Sequence, residues 1–306
     1  MSPPSDAARH VDLHLHTTRS DGRWEPRRVL AEAAARGFAA VSITDHDVLG
    51  AIDEAAAAHE HGVQLLPGIE LTADWNGRTV HILGHGIDPA EPRLRAALER
   101  AERAMGAHVD RVLAALDAAG TPIAREQLEK YRVKYAGGAS LVLAMVEHGV
   151  LRRAANGGGL LRLASREPRG YTAAEAIDLI HGAGGLASLA HPVKIRKDRP
   201  LLDADDLRPL AAAGLDGIEV WQIVHGPRER AHYAGLADEL GLLPIGGSDC
   251  HGPRRTGGPR LGSQRVPYLV YEAMLERLAA RRGSPELPAS KPAARGTATV
   301  GDGSPS

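Results

Sequence analysis

The sequence predicts an α/β protein: a barrel of parallel β/α units interrupted by a helical insertion. Three observations predict it. The first 85 residues alternate short apolar strands with helices, the pattern of parallel βα units. Residues 92–170 break that alternation with helical segments rich in Ala, Leu, Arg and Glu. From residue 171 the alternation resumes and runs to about residue 282. The expected organisation is a loose N-terminus over 1–9, a barrel made from 10–91 and 171–282, a helical insertion over 92–170, and a disordered tail over 283–306.

The elements follow in order. Val11-Asp12-Leu13-His14-Leu15-His16 alternates strictly, with Asp12, His14 and His16 on one parity and the apolar residues on the other. A period of two means a strand with one polar and one apolar face. Trp24-Glu25-Pro26 opens a helix with proline in its first turn; Val29, Leu30, Ala33 and Ala34 share one face and Gly37 ends it. Ala39 to Ile43 is a short buried strand ending in Thr44-Asp45-His46-Asp47. An Ala-rich helix over about 48–61 stops at Gly62. Val63 to Glu70 is a strand and strand end, and Val80 to Gly84 a further strand. The insertion reads as helices over 92–119, about 124–131 and about 139–154, with loop signals at Asn156-Gly157-Gly158-Gly159 and Pro168-Arg169-Gly170. Thr172 and Glu175 have the spacing of a capping box before a helix that runs to the Gly182–Gly185 turn. Leu186 to Ala190 is a strand ending in His191-Pro192, and a helix from Asp203 is closed by Gly214. Asp216 to Trp221 is a strand, Arg228 to Leu240 a helix, and Leu242 to Gly247 a strand ending in Ser248-Asp249-Cys250-His251. Val270 to Arg281 is the last helix; beyond 283 Gly, Ser, Pro, Ala and Thr dominate without periodicity.

Composition removes several classes. The chain of 306 residues is 43% hydrophobic and 25% charged, with a net charge of −1, which suits a globular protein and gives no basic excess for membrane surfaces or stable duplex nucleic-acid binding. No apolar run approaches the ~18 residues of a membrane span. One cysteine, Cys250, excludes an internal disulfide framework and fits a reducing compartment, and the first ten residues lack a signal-type apolar stretch; the expectation is a cytoplasmic protein.

The chemistry lies at the strand ends. His14, His16, Asp21, His46, Glu70, His81, His191, Asp249 and His251 each follow, or lie near the end of, a short apolar strand. In a parallel barrel all strand C-termini meet at one rim, where active sites sit. Residues far apart in sequence therefore converge. Nitrogen and oxygen ligands without thiolate suit Mn²⁺, Fe²⁺ or Zn²⁺. Nine ligands exceed the need of one ion. Holding two like-charged ions ~3.5–4 Å apart requires a bridging carboxylate, for which Glu70 is the natural candidate. Water bound there becomes hydroxide near neutral pH, a nucleophile suited to phosphate esters, where charge develops on several oxygens, and also to amides.

Taken together, His14-Leu15-His16 with Ser20-Asp21-Gly22, Ile43-Thr44-Asp45-His46-Asp47, Gly68-Ile69-Glu70, Val80-His81-Ile82-Leu83-Gly84, Ala190-His191-Pro192 and Gly247-Ser248-Asp249-Cys250-His251 resemble the motifs of the polymerase and histidinol phosphatase (PHP) family, in the family's order. The resemblance covers about 10–95 and 171–265. It implies a distorted (β/α)7 barrel, TIM-like, holding two or three divalent ions. Carried over, the first ion takes His14, His16, Glu70 and Asp249; the second takes Asp21, His46 and His251; the third takes Glu70, His81 and His191. An insertion after the fourth motif resembles the branch of small phosphoesterases acting on nucleotide 3′,5′-bisphosphates and on the 5′ ends of short RNA. Two departures stand out. Where that branch often carries Gly-Arg-Pro-His, this chain has Ala136-Gly137-Gly138-Ala139-Ser140; where Gly-Arg often follows His-Pro, it has Val193-Lys194-Ile195. A lysine offers a point charge in place of a bidentate guanidinium.

Further candidates surround this set. Arg19, Lys194, Arg196, Arg228 and Arg254 are candidates for binding substrate phosphate, and His191 and His225 for donating the leaving-group proton, beside a metal-bound water. Asp12, Asp45, Asp47 and Glu219 either orient ligands or serve structure, and Cys250 is read as packing. The expected activity is metal-dependent hydrolysis of small phosphate esters, nucleotides or short RNA ends foremost, by metal-bridged hydroxide attack on phosphorus. The alternatives are a histidinol-phosphate phosphatase and a non-catalytic metal- or nucleotide-binding regulatory module.

Overall fold

The structure, a computed structural model, describes residues 9–56, 62–131, 141–166, 168, 170–195, 201–253 and 260–283. The expected N-terminal and C-terminal tails thus fall almost wholly outside the described residues, as do Ala136 to Ser140.

The strands are β1 (His10–Leu15), β2 (Phe38–Ile43), β3 (Gln64–Trp75), β4 (Arg78–His85), β5 (Tyr171–Thr172), β6 (Leu186–Leu189), β7 (Gly217–Trp221), β8 (Leu243–Gly246) and β9 (Val266–Pro267). The sheet runs β8-β7-β6-β4-β3-β2-β1-β9, with β5 beside β3. It curls round on itself. The segment after β8 meets β1 through a Leu15–Cys250 bridge, the Asp249 N–H donating to the His14 carbonyl at 3.0 Å and the His16 N–H to the Cys250 carbonyl at 3.0 Å. The result is a distorted barrel of the expected (β/α)7 kind.

Two strands depart from the all-parallel expectation: the short β9 pairs antiparallel with β1, and β4 departs within the barrel itself. β1, β2 and β3 run parallel, as do β6, β7 and β8, but β4 is antiparallel to both its neighbours. The cause is local. β3 does not end at Glu70 but continues to Trp75, and Asn76-Gly77 turns the chain straight back, with Trp75 paired to Arg78. Both turn residues have positive φ, 52° and 77°, the requirement of a tight two-residue hairpin and the reason Asn-Gly is favoured there. Reversal places the first half of β4, with His81 opposite Thr72, at the rim where the other strands end.

Helices α1 (Pro26–Ala35), α2 (Gly50–Ala56), α7 (Ala173–Gly182), α8 (Ala204–Ala212), α9 (Pro227–Leu240) and α10 (Tyr268–Arg281) belong to the barrel. α1 has its proline in the first turn and α7 its Thr172–Glu175 capping box, both as read from sequence. Between β4 and β5 lie α3 (Pro92–Ala118), a 3₁₀ segment Arg125–Tyr131, a helix over 141–147 (α4), α5 (Val150–Arg153) and α6 (Gly157–Ala164). They share an apolar cluster of their own, including Val112, Leu116, Leu141, Met145 and Leu160. The glycine run at 157–159, expected as a loop, starts α6 instead, because Leu160 and Ala164 gain burial on that cluster. Among the described residues, no helix is long and apolar enough to cross a membrane.

Asp216, just before β7, ties the sheet to two helices. It accepts from the Ala187 N–H at 2.9 Å, His181 Nε2 at 2.8 Å and Arg281 at 2.6 Å. Burial alone raises a carboxyl pKa, but these partners outweigh it and hold Asp216 below its ordinary value of 3.8. Asp216→Ala is expected to cost about 2–4 kcal/mol by leaving a buried N–H and a guanidinium unpaired. Because the folded pKa is depressed, the contribution is fully present above the unfolded value of 3.8 and fades as pH falls through the lower folded one. Urea titrations of the two proteins at about pH 7 and about pH 3 check this: the gap narrows in acid.

Candidate metal centre

Glu70 stands at the middle of the barrel mouth. Its Oε2 lies 3.2 Å from His14 Nε2, 3.1 Å from His16 Nε2 and 3.4 Å from His46 Nε2. Its Oε1 lies 2.9 Å from His81 Nδ1 and 3.1 Å from His191 Nε2. Asp249 Oδ1 adds a second carboxylate, 3.7 Å from His14 Nε2, 3.4 Å from His16 Nε2 and 3.6 Å from His251 Nδ1. Asp21 completes the set: its Oδ2 is 3.0 Å from His251 Nε2 and 3.9 Å from His46 Nε2, and its Oδ1 is 3.5 Å from His16 Nδ1. All nine sequence candidates therefore meet in one cluster. Seven of them place ligand atoms in three overlapping groups, His14, His16 and Glu70; His16, Asp21, His46 and His251; His46, Glu70 and His81, while Asp249 and His191 border these groups through His16 and Glu70. His16 and His46 thus each belong to two groups, where the family resemblance gave each to one.

The cluster is built for cations. His14 and His16 point Nε2 atoms at each other across 3.1 Å, both facing the same carboxylate oxygen. His16 Nδ1 and His191 Nδ1 are buried without a hydrogen-bond partner. Lone pairs packed this way need a positive charge between them, from protons or from metal. Without metal, protons serve. Burial opposes charge on His14, yet Glu70, Glu219 and Asp249 outweigh it and lift its pKa well above the ordinary histidine range. His16 is raised to about 10 against the same burial, by Asp249 and Glu70. Burial likewise works against charge on Glu70 and Asp249, but the surrounding imidazoles hold both pKa values well below the carboxylate range. His46 goes the other way, pushed by burial down to about 3.

Each ligand-bearing turn has a support. Asp45 accepts from the Thr17 N–H at 2.7 Å, the Thr17 hydroxyl at 2.6 Å and the Ser20 hydroxyl at 2.5 Å, so it holds the loop that carries Asp21. Asp47, at φ 51°, accepts from the Thr72 N–H at 3.1 Å. Asp12 Oδ1 accepts from the Ser248 N–H at 2.8 Å, tying β1 to the turn of Asp249. That turn lies hard against β1: a Cβ on Gly247 would sit 2.4 Å from His14 Cβ. Asp249 and His191 have φ of 51° and 28°, the left-handed region that non-glycine residues rarely occupy and that collects at functional sites. Cys250 packs in the apolar cluster behind β1.

The candidate substrate and proton-transfer residues fare unevenly. Lys194 Nζ lies 2.7 Å from Asp249 Oδ2, on the rim and 42% exposed. Arg19 pairs with Glu54. Arg228 is exposed in the first turn of α9. Arg196 and Arg254 lie outside the described residues. His191 sits in the cluster. His225 instead stacks on Tyr233, its Nδ1 3.0 Å from the Val220 carbonyl and its Nε2 buried without a partner. Sequence reasoning passed over Gln222, whose amide donates to Asp249 Oδ2 at 3.2 Å; its place just after β7 was the available signal.

A sequence profile for the PHP domain matches residues 12–121. A 3′,5′-nucleoside bisphosphate phosphatase of Chromobacterium violaceum is 35% identical over 264 residues, 81% of this chain and 89% of that protein. The chain belongs to the PHP family. A 5′-3′ exoribonuclease of Haemophilus influenzae is 30% identical over 253 residues, 79% of this PHP chain and 90% of that protein. A crystal structure from Bifidobacterium adolescentis, assigned as a metal-dependent phosphoesterase, superposes with a TM-score of 0.72 at 29% identity, covering 90% of this PHP chain and 98% of that one.

Proposed function

We propose that this PHP protein hydrolyses phosphate monoesters of small phosphorylated substrates, nucleotides foremost: 3′,5′-bisphosphates, or the 5′ end of short RNA. It is a metal-dependent hydrolase of phosphoric esters. The observation that carries the reading is the meeting of six histidines with Glu70, Asp21 and Asp249, their ring nitrogens and carboxylate oxygens 2.9–3.9 Å apart. The relatives named above bear on the substrate class.

The residues suit two or three divalent ions, Mn²⁺, Fe²⁺ or Zn²⁺. The first would be held by His14, His16, Glu70 and Asp249, the second by Asp21, His46 and His251, the third by Glu70, His81 and His191. When bound, such ions polarise phosphoryl oxygens and bring a water's pKa toward neutrality. The chain's own groups do the rest. Glu70 faces His14, His16 and His46 with one oxygen and His81 and His191 with the other, so it would hold ions on both sides of the cluster and offset their repulsion. Lys194, on the rim beside Asp249, adds a positive charge where an entering phosphate would lie. Its compact ammonium gives attraction without the two-pronged grip of arginine.

The test is a panel of adenosine 3′,5′-bisphosphate, a 5′-phosphorylated RNA trimer, histidinol phosphate and p-nitrophenyl phosphate, assayed after reconstitution with each metal in turn. Phosphate release from the nucleotides, at a kcat/KM at least tenfold above histidinol phosphate, is the expected result. Preference for histidinol phosphate overturns the substrate class, and tight nucleotide binding with no turnover by any metal form overturns hydrolysis.

A further inference from the structure

Glu219 lies outside the nine-residue set, yet its carboxylate meets the ring of one ligand histidine and the backbone of another. It sits on β7, fully buried, and both oxygens are engaged. Oε1 lies 2.9 Å from His14 Nδ1, on β1. Oε2 accepts from the backbone N–H of His191, the residue after Ala190 at the end of β6, at 2.5 Å. A single carboxylate thus grips a side chain from one strand and a main-chain group beyond another.

Each grip has a consequence. A neutral imidazole has one N–H and one lone pair. A carboxylate beside Nδ1 accepts from the N–H there, which keeps the neutral ring's one proton on Nδ1 and leaves the lone pair on Nε2, the atom aimed at His16 and Glu70. His191 has φ 28° and ψ 59°, and its N–H gains a charged acceptor in place of a strand partner. Without that acceptor a buried donor would go unpaired, at a cost of about 1–3 kcal/mol, and the left-handed turn would lose what holds it.

We infer that Glu219 is the positioning residue of the metal centre: one carboxylate sets the tautomer of His14 and pins the turn that presents His191, so that two separate ion positions depend on it. This rests on the proposed metal-dependent activity.

Glu219→Gln tests it at nearly constant size. An amide has one acceptor where the carboxylate has two, so it cannot satisfy both N–H groups. Either His14 changes tautomer and turns an N–H toward the ion, or His191 loses its acceptor. Competition of Mn²⁺ against a chromogenic chelator is expected to give a roughly 10–100-fold weaker affinity than the parent. Glu219→Asp, which keeps two acceptors but shortens the reach, is expected to fall between the two. In a His14→Ala background the effect of Glu219→Gln is expected to shrink several-fold, because the part that runs through His14 is already gone. A merely structural residue would show the same loss in both backgrounds. If the metal-free Glu219→Gln protein does not unfold cooperatively, Glu219→Asp carries the same comparison. Parent-like affinity in both Glu219 variants, or an undiminished effect beside His14→Ala, overturns the inference. A parent protein that takes up no ion overturns the functional reading instead.

Discussion

Glu70→Gln is expected to lower kcat by about 10³-fold or more, with metal content falling by at least one ion per chain. The size follows from what the carboxylate does. Its two oxygens face five imidazoles within 3.4 Å. An amide removes the negative charge and turns an NH₂ toward nitrogens that should offer lone pairs. Ions held by these imidazoles would repel at short range, a carboxylate between them would offset that repulsion, and several kcal/mol of transition-state charge stabilisation would go with the ions. At about 1.4 kcal/mol per decade, several kcal/mol is the stated factor. Steady-state kinetics together with elemental analysis of the purified variant check it. A Glu70→Gln enzyme within tenfold of the parent, with full metal content, would remove Glu70 from the bridging role.

Stripping the protein with a chelator is expected to abolish turnover and to lower the unfolding temperature by several degrees, both restored by adding Mn²⁺. A ligand that binds only the folded state stabilises it by about 2.7 kcal/mol at one hundred times its dissociation constant. The release of protons gives a second readout. In the cluster Glu70, Glu219 and Asp249 hold His14 above the ordinary histidine range and His16 is raised to about 10, so proton loss accompanies ion binding at these imidazoles. Ion uptake therefore acidifies a weakly buffered solution, and affinity weakens as pH is lowered. Calorimetry in two buffers of different ionisation enthalpy measures the number of protons. Uptake with no proton release, or an unfolding temperature indifferent to chelator, would place the ions elsewhere.

Much of the site was legible before any coordinates. The parity of Asp12, His14 and His16 marked a strand with a polar face, and all three side chains are buried in the barrel. The capping box at Thr172 and Glu175 was readable because it depends on four consecutive residues. The direction of β4 was missed although Asn76-Gly77 announces a hairpin, since the alternation of Val80 to Gly84 is the same whichever way a strand runs. The roles of Asp45 and Glu219 stayed open between orientation and structure for a different reason. Asp45 holds the Thr17–Ser20 loop across 25–28 positions, and Glu219 reaches His14 across 205. No local pattern records such a partner.

The residue types and their places at strand ends belonged to the sequence by itself, because periodicity and turn chemistry act over a few neighbouring residues. Tertiary structure alone decided that Glu70 stands among histidines 56 and 121 positions away, and that one reversed strand brings His81 to them. Closure of the sheet sets those distances, through contacts between segments that carry no mark of each other.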